Sequence, residues 1–503
     1  PMSSRAAAAL VFVTSAAVLV LETLAGRLLA PYAGVTLETF TAIIGTILAG
    51  ISLGAWLGGR AADAGNPGRL LGPLIAAGGA LSMLSIFMID VLGPGATRNG
   101  GISSLGLVMI VGAAFFLPAA ALSAVSPIIV KLTLDDIQDT GSIVGRLSAI
   151  GTAGAIVGTF VTGFVLVSNF PSRPTLRGVA AGLIVLGLVI AARNASAKAD
   201  LGKLSVVAVV LTGVSLLTSG PCEYESPYFC ATIEDDPDRP SGRLLRLDTL
   251  SHSYVDLDDP TYLEFSYAQA LDDVLAVTFP EPQPITAIHI GGGGFTFPRF
   301  LEATRPGTQS TVLELDPLLV ELARTELGFT EEQLGFSLAG VEVATGDGRL
   351  TLAQLPNGAA DIVIGDAFGG VSVPWHLTTR EFVQLVKSKL TQNGVYALNM
   401  IDYGPRDFAR AEMATLASVF KHVAAFTPAD RLGPRNVSAG GNFVLVASDA
   451  PIDVAGILAR NAADGDDEAA ISTLDGSLAA FVGDAVVLLD DHAPVDQLLT
   501  PLP

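Results

Sequence analysis

The chain has 503 residues, of which 50% are hydrophobic and only 15% are charged. Soluble domains carry about 25% charged residues, so this composition excludes both a single soluble globular fold and a largely disordered chain. The charge is uneven: residues 1–220 contain 12 Lys and Arg against 8 Asp and Glu, and residues 221–503 contain 16 against 41. The acidic half would repel a phosphate backbone, which argues against nucleic-acid binding.

Seven apolar stretches precede residue 220, and each predicts a transmembrane helix because about 20 apolar residues are needed to cross a bilayer. They lie near 6–30, 39–57, 70–93, 102–125, 147–168, 176–192 and 204–218. The last two are short, and losing one of them would reverse the topology. We therefore expect an all-α transmembrane bundle of about seven helices in a multi-pass protein of the cell membrane.

The orientation of this bundle follows from the Lys and Arg residues near the helix ends. With the N-terminus in the cytoplasm, the inner segments hold eight of them and the outer segments four. Seven crossings then predict an extracytoplasmic C-terminal half. Cys222 and Cys230, the only cysteines, follow the last stretch in one short loop. This spacing favours a local disulfide in an oxidising compartment, with two free thiols as the alternative.

Two ionisable residues near the end of the first stretch are membrane candidates. Glu22 follows a long apolar run, and Arg27 lies five residues further on. An ionisable group at that depth is costly and is a functional candidate for that reason. The alternative is an interfacial Glu22–Arg27 pair that holds helix ends together.

The acidic half has the pattern of an α/β domain. Short alternating strands near 243–247 and 253–257 predict a small N-terminal β segment. Apolar strands that alternate with helices then predict a doubly wound, Rossmann-like and mostly parallel sheet. These strands lie at 286–290, 311–315, 341–344, 362–365 and 395–399. We expect a transmembrane domain at 1–220, a linker and β-hairpin region at 221–258, the Rossmann-like domain at 259–450 and an extension at 451–503.

Ligands of such sheets bind beyond the carboxyl ends of the strands, where glycines and carboxylates are found here. The glycine run lets the backbone approach a ligand closely. Glu314 could accept hydrogen bonds from ribose hydroxyls, Asp347 could accept one from an adenine amino group, and Asp366 ends the fourth strand. Taken singly, each carboxylate could instead be a helix N-cap or a solvated residue. The glycines are Gly291, Gly292, Gly293 and Gly294.

Four motifs resemble those of a known protein family. They are Ile290-Gly-Gly-Gly-Gly, Leu313-Glu-Leu-Asp, Thr345-Gly-Asp-Gly-Arg and Asp361-Ile-Val-Ile-Gly-Asp. Residues 240–450 resemble the spermidine synthase (polyamine aminopropyltransferase) family, which has a methyltransferase-like Rossmann fold. The whole chain resembles the form fused to an N-terminal multi-span membrane domain. The resemblance implies that the glycines, Glu314 and Asp347 hold the adenosine part of decarboxylated S-adenosylmethionine. It also implies that Asp366 receives the amine and takes its proton.

Other positions of the amine pocket depart from the family. Gly294 replaces the aspartate that grips the aminopropyl ammonium, Gly369 replaces a second catalytic aspartate, and Gln269 replaces a glutamate. A diamine needs carboxylates to offset its desolvation, so these departures argue against a polyamine substrate. We expect Asp366 to remain the base, with these flanking residues: His252 (where the family has a ligand-binding glutamine), Tyr254, Tyr267 (the pocket tyrosine), Trp375 and His376.

His252 and His376 each have an alternative interpretation without a functional role. His252 could be an ordinary hairpin residue, and His376 could belong to the loop after Asp366 without reaching the pocket. No cluster of residues in the sequence suits a metal ion.

Three classes of function fit these observations. The first is a membrane-integrated transferase with an S-adenosyl-type ligand and Asp366 as general base, and we favour it because the family resemblance is the most specific signal. The second is an extracytoplasmic enzyme without an S-adenosyl ligand, which performs acid/base chemistry on a glycan or a lipid-linked sugar. S-adenosyl compounds are cytosolic, so the predicted topology favours this second class. The third is a transporter or a binding module. The expected partners are the lipid bilayer and a small-molecule, glycan or lipid-linked substrate.

Overall fold

The structure is a computed structural model that describes residues 2–97, 103–134, 140–193, 198–218, 220–368, 373–432, 440–465 and 468–499. The chain forms two compact units, Pro1–Ala231 and Thr232–Pro503. The composition change predicts the division at residue 220 instead. The segment after the last apolar helix belongs to the first unit because its polar groups bond to helices of that unit, as described below.

Unit 1 consists of seven helical segments in the part of the chain that the structure describes. They are α1 (Ser4–Ala33), α2 (Leu37–Asp63), α3 (Pro67–Thr97), α4 (Ser104–Thr133), α5 (Thr140–Asn169), α6 (Ser172–Arg193) and α7 (Lys198–Leu216). Among the described residues, six of these helices are long and apolar enough to cross a membrane. The seventh has a shorter apolar part, Ser205–Leu216. The predicted apolar, all-helical N-terminal region is confirmed, with six candidate membrane spans among the described residues where the sequence predicts about seven.

Small residues let the helices of unit 1 pack with their backbones close together. A Cβ atom on Gly54 of α2 would lie 2.2 Å from the carbonyl oxygen of Ala120 on α4. A Cβ atom on Gly154 of α5 would lie 2.3 Å from the carbonyl oxygen of Phe12 on α1. Since lipid tails are as apolar as the side chains, such close packing is a main source of helix association in a bilayer.

Polar contacts show which helix ends lie together. Lys131, near the end of α4, pairs with Asp63 at the end of α2 over 2.9 Å. Arg146 of α5 donates to the Ser4 hydroxyl over 2.6 Å. At the opposite end, Arg173 of α6 pairs with Asp90 of α3. The successive helices therefore run in alternating directions.

The disulfide segment after α7 lies at the end of the bundle opposite to Ser4. Cys222 and Cys230 are joined by a disulfide, with their Cα atoms 5.2 Å apart. The Glu225 carboxylate accepts from the Ser172 amide over 3.0 Å and lies 3.7 Å from Arg27 Nη2. Arg27 is thus bound by this segment, and the interpretation of a Glu22–Arg27 pair is wrong. Glu22 is half-buried on α1, and its membrane role stays a prediction.

Unit 2 contains a small antiparallel sheet and a large mixed sheet. The strands are β1 (Tyr224–Glu225, in unit 1), β2 (Cys230–Asp235, which contains the unit boundary), β3 (Gly242–Leu247), β4 (Leu250–Asp256), β5 (Thr286–Ile290), β6 (Gln309–Glu314), β7 (Val341–Thr345), β8 (Ala360–Gly365), β9 (Leu390–Asp402), β10 (His422–Pro428), β11 (Gly441–Ser448) and β12 (Glu468–Ser472). The helices are α8 (Ser266–Thr278), α9 (Thr296–Thr304), α10 (Pro317–Thr325), α11 (Glu331–Leu334), α12 (Gly348–Gln354), α13 (Arg380–Lys389), α14 (Asp407–Ala417), α15 (Val454–Asp464), α16 (Ser477–Val482) and α17 (Val495–Leu498).

The large sheet has the strand order β12-β10-β11-β9-β8-β5-β6-β7 in the described residues. Strands β9, β8, β5, β6 and β7 are parallel to one another, and β11, β10 and β12 continue the sheet in antiparallel fashion. Buried apolar clusters cover both faces. The α/β fold is therefore confirmed, and the strand order reverses between β5 and β8, where ligands of such folds bind.

Candidate active site

The switch point of the sheet brings the glycine loop against Asp366. The Asp366 amide donates to the carbonyl of Ile290, the last residue of β5, over 2.9 Å. Gly291 has a φ of +98°, and a Cβ atom on it would lie 2.2 Å from the Asp366 carbonyl oxygen. Only a glycine combines this backbone conformation with this close approach.

Asp366 is half-buried: protein atoms surround its carboxyl, but solvent still reaches part of the residue. Its Oδ2 accepts from the Tyr267 hydroxyl and its Oδ1 from Asn399 Nδ2, each over 3.0 Å. Burial raises the pKa of the Asp366 carboxyl to about 6, although both hydrogen bonds act to lower it. A carboxylate with a pKa near 6 is ionised at neutral pH and can accept a proton from a bound nucleophile.

Asn399 of β9 links Asp366 to strand β11. Its Oδ1 accepts from Asn442 Nδ2 of β11 over 2.9 Å, so both ends of its amide are occupied. This arrangement fixes which end of the amide faces Asp366. Neither asparagine was expected at the site. The available signal was a buried polar residue near the end of the otherwise apolar strand β9.

The amides of the glycine loop are all occupied by protein acceptors. Gly291 donates to the Leu313 carbonyl, and Gly292 and Gly293 donate to Glu314 Oε2 over 2.7 and 3.2 Å. Gly294 donates to the Ser253 hydroxyl over 2.9 Å. A phosphate-binding loop needs free amides that point at the anion, so this loop suits a ligand without a phosphate.

Glu314 has one acceptor position that the protein does not fill. Its Oε1 accepts from the Asp316 amide over 2.9 Å, and a carboxylate oxygen can accept a second hydrogen bond. Burial raises the pKa of this carboxyl, while the three backbone amides act to lower it. Glu314 therefore ties the loop to β6 and offers one acceptor position at the strand end.

Asp347 has two partners. Its Oδ1 accepts from the Leu350 amide over 2.9 Å, which makes it the N-cap of α12. Its Oδ2 accepts from His376 Nε2, also over 2.9 Å. The N-cap alternative is thus observed, and His376 reaches this strand end rather than Asp366. A ligand amino group would share Asp347 with His376.

Three large apolar side chains are exposed around Asp347. Leu315 follows Glu314, Leu350 lies on α12, and Trp375 precedes His376. Their exposed fractions are 42%, 68% and 51%. Single exposed apolar residues are common, but three beside one strand end would cover the faces of a flat aromatic ligand.

A β-bulge places two residues of β4 near the glycine loop. Leu245 pairs with Ser253 and Arg246 pairs with Ser251, so His252 is the extra residue. A bulge of this kind redirects a side chain. The His252 ring contacts the Phe368 ring edge-on, with centroids 6.4 Å apart. Burial lowers the pKa of His252 to about 4, so the ring is neutral at pH 7.

Tyr254 and Gln269, two predicted ligand-binding residues, form hydrogen bonds with other parts of the protein. The Tyr254 hydroxyl donates to Asp236 Oδ2 over 2.6 Å within the small sheet. Gln269 Nε2 donates to the Leu263 carbonyl over 2.8 Å. Neither side chain is bonded to the Asp366 group, and a ligand contact for either one stays a prediction.

Comparison with known proteins agrees with this geometry. Residues 264–426 match the Spermine/spermidine synthase domain family. Over these residues, the carboxyl-terminal unit is similar to a spermidine synthase domain. A polyamine aminopropyltransferase of Chromobacterium violaceum is 31% identical over 147 residues, which are 29% of this chain and 53% of that protein. One of Neisseria meningitidis serogroup A is 28% identical over 188 residues, 37% of this chain and 66% of that protein. The chain thus spans about half to two thirds of these relatives.

A solved structure resembles the same unit. The probable spermidine synthase of Corynebacterium glutamicum is 24% identical, with a TM-score of 0.48, and the match covers 55% of this chain and 98% of that one. The chain combines a unit similar to a spermidine synthase domain with the apolar helices of unit 1.

The spermidine synthase domain has no room for an acidic residue at position 294. A Cβ atom on Gly294 would lie 2.9 Å from Ser253 Cβ and 3.3 Å from Val255 Cγ1. Ser253 and Val255 of β4 would have to shift before position 294 could carry a side chain. Gly369 lies outside the described residues. Among those that are described, no three His, Cys, Asp or Glu side chains come together as they would around a metal ion.

Proposed function

We propose that unit 2 is a transferase that binds an S-adenosyl-type nucleoside and uses Asp366 as the general base. The observation that carries this proposal is the contact between Asp366 and the start of the glycine loop at Gly291. It places a base beside the loop that would hold the nucleoside. Tyr267 and Asn399 orient the carboxylate, and each of its oxygens retains a lone pair that can receive a proton from the nucleophile.

The binding groups suit a nucleoside better than a nucleotide. The loop amides are occupied, which disfavours a phosphate, and Glu314 retains an acceptor position for a ribose hydroxyl. The apolar side chains of Leu315, Leu350 and Trp375 suit a purine, whose amino group would donate to Asp347. The aminopropyltransferase activity of the relatives supports the same ligand class. We propose the bilayer and one small-molecule acceptor as the partners.

Calorimetry on the full-length protein in detergent tests this proposal. We expect 5′-methylthioadenosine or S-adenosylhomocysteine to bind, and Glu314→Ala to abolish the binding. Asp366→Asn should retain the nucleoside and lose turnover, which separates binding from proton transfer. If neither nucleoside binds to the wild-type protein, the proposal is wrong.

The second candidate is acid/base chemistry on an envelope glycan or lipid-linked sugar, outside the cytoplasm. It is favoured by the position of the disulfide segment at the bundle end opposite to Ser4, together with the Lys and Arg distribution. Under this proposal, unit 2 faces the outside while the N-terminus is cytoplasmic.

Cysteine labelling decides between the two locations. The Asp235 side chain is 82% exposed, and the native cysteines form a disulfide, so Asp235→Cys supplies one reactive thiol. Labelling of intact cells by a membrane-impermeant maleimide would support the outside location. Labelling seen only after lysis would exclude it and favour the S-adenosyl ligand.

A further inference from the structure

Among the residues that the structure describes, the Asp366 carboxylate has no balancing cation. Asp366 accepts only from Tyr267 and Asn399, which are neutral. Within the described part of the chain, no Lys or Arg lies in ion-pair range of this carboxylate. A carboxylate surrounded by protein is costly unless an opposite charge compensates it, and a bound cationic substrate would do so.

His252, Ser253 and Phe368 form an uncharged wall at the bulge of β4 and just after Asp366 in the chain. The neutral His252 ring and the Phe368 ring stand edge to face at the bulge of β4. Ser253 follows and accepts from the Gly294 amide. These groups offer a bound amine an apolar and weakly polar surface, with no second carboxylate.

Two further positions are held neutral by their hydrogen bonds and packing. Gly294 has no left-handed φ that would forbid a side chain, so Ser253 alone, with Val255 behind it, keeps the position empty. Gln269 donates to the Leu263 carbonyl, which a glutamate carboxylate could not do. Both positions would need local rearrangement before they could carry a charge.

Resting on the proposed function, we infer that the acceptor is a primary monoamine, with one nitrogen that faces Asp366 and an uncharged, mostly apolar body. One buried negative charge matches one positive charge. The second ammonium of a diamine would lie against His252, Phe368 and Ser253 without a partner, and an uncompensated charge there is strongly disfavoured.

The transfer step is balanced with these groups. The ammonium gives one proton to Asp366, and its nitrogen lone pair then attacks the carbon bonded to the sulfonium of an S-adenosyl donor. The new C–N bond forms as the C–S bond breaks. The bonding electrons remain on sulfur as a neutral thioether, and no oxidant or reductant is required.

Matched amines test the inference on the full-length protein in detergent at pH 8. Hexylamine and 1,6-diaminohexane are titrated by calorimetry, both with and without saturating 5′-methylthioadenosine. We expect hexylamine to bind at least about tenfold more tightly than the diamine. Equal or tighter binding of the diamine, or no binding of hexylamine, overturns the inference. A failure of 5′-methylthioadenosine to bind counts against the proposed function instead, and the titration without it still ranks the two amines.

A charge placed on the wall provides the second test. Ser253→Asp keeps an acceptor for the Gly294 amide and adds a carboxylate, whereas Ser253→Asn is the neutral control of similar size. We expect Ser253→Asp to remove the preference for hexylamine, and Ser253→Asn to retain it. Retained 5′-methylthioadenosine binding shows that both variants fold. If Ser253→Asp leaves the tenfold preference intact, Ser253 does not determine the specificity and the inference fails.

Discussion

Asn399 and Asp366 lie at the ends of neighbouring parallel strands, with Asn399 Nδ2 donating to Asp366 Oδ1 over 3.0 Å. Because Asn442 occupies the other end of the Asn399 amide, the donor faces Asp366 in a fixed orientation. The carboxylate is therefore held by donors from β9 and, through Tyr267, from α8. Its surroundings still raise its pKa to about 6, so the cost of burial outweighs the two hydrogen bonds.

Neutralising Asp366 should stabilise the protein at alkaline pH. The native pKa of about 6 exceeds the ordinary value of 3.8, so the favourable contribution is present below pH 3.8 and is lost as the pH rises through 6. We expect Asp366→Asn to raise the free energy of unfolding at pH 8 by about 2 kcal/mol, allowing for partial solvent access. The gain should vanish below pH 4. Thermal melts at both pH values check this, and equal gains at both would contradict it.

The Tyr267 hydroxyl should set the pH dependence of turnover. It donates to Asp366 and thereby lowers the pKa of that carboxyl. In Tyr267→Phe we expect the pKa of Asp366 to rise further above 6, so the acidic limb of the pH–rate profile moves to higher pH. Tyr254→Phe is the matched control because its hydroxyl bonds to Asp236 in the small sheet. A shift of the same size in both variants would rule out a specific role for Tyr267.

Gly291 should tolerate no side chain. Its φ of +98° and the 2.2 Å approach to the Asp366 carbonyl both act against a Cβ atom. We expect Gly291→Ala to lower the free energy of unfolding by about 3 kcal/mol and to abolish nucleoside binding. Gly307 has a similar φ of +93°, with its nearest neighbour 3.9 Å from a Cβ atom. Gly307→Ala should therefore cost about 1 kcal/mol and leave binding unchanged. Equal losses in chemical denaturation would show that the close approach is unimportant.

The central parallel strands could be predicted from the sequence because they are buried on both faces. The predicted strand at 286–290 coincides with β5 (Thr286–Ile290). The strand at 395–399 is only the middle part of β9 (Leu390–Asp402), which extends beyond it at both ends and includes the polar Thr391, Gln392 and Asn393. The sequence did not predict strands β10 and β12, and β12 lies in residues 451–503, which show little alternation. Their pairing depends on contacts between distant parts of the chain.

The site was predicted in part for the same reason. Glu314 and Asp366 lie at the carboxyl ends of parallel strands, which meet on one side of the sheet. The sequence pattern predicts where these strands end, so it also predicts that the two side chains lie on the same side. Partners that come from other elements leave no local signal: Ser253 reaches the glycine loop through a bulge, and Asn442 reaches Asn399 from β11. Tyr254 was expected at the pocket because it neighbours His252, but its hydroxyl bonds to Asp236 in the small sheet.

The helix packing of unit 1 should depend on Gly54 and not on Gly59. A Cβ atom on Gly54 would lie 2.2 Å from the Ala120 carbonyl oxygen, whereas one on Gly59 of the same helix meets nothing within 4 Å. We expect Gly54→Ala to destabilise the bundle by about 1–3 kcal/mol and Gly59→Ala to have no such effect. Thermal melts in detergent measure the difference. A neutral Gly54→Ala would show that α2 and α4 pack more loosely than described.

The Asp90–Arg173 pair should be the most costly ion pair of unit 1 to break. Arg173 Nη1 lies 2.7 Å from Asp90 Oδ2, and the two side chains are only 11% and 8% exposed. Asp90→Asn leaves the Arg173 charge uncompensated, and we expect a loss of about 3–5 kcal/mol. The Lys131–Asp63 pair is the control: its side chains are 51% and 73% exposed, so Lys131→Ala should cost at most about 1 kcal/mol.

A double variant distinguishes the charge from the packing at this end of the bundle. Arg173→Met in the Asp90→Asn background removes the unpaired charge and keeps most of the side-chain volume. If the uncompensated charge is the cause, melts in detergent should show the double variant regaining much of the stability that Asp90→Asn loses. A further loss in the double variant would mean that Arg173 acts through its other contacts. Among these is Gly220, where a Cβ atom would lie 2.2 Å from the guanidinium carbon.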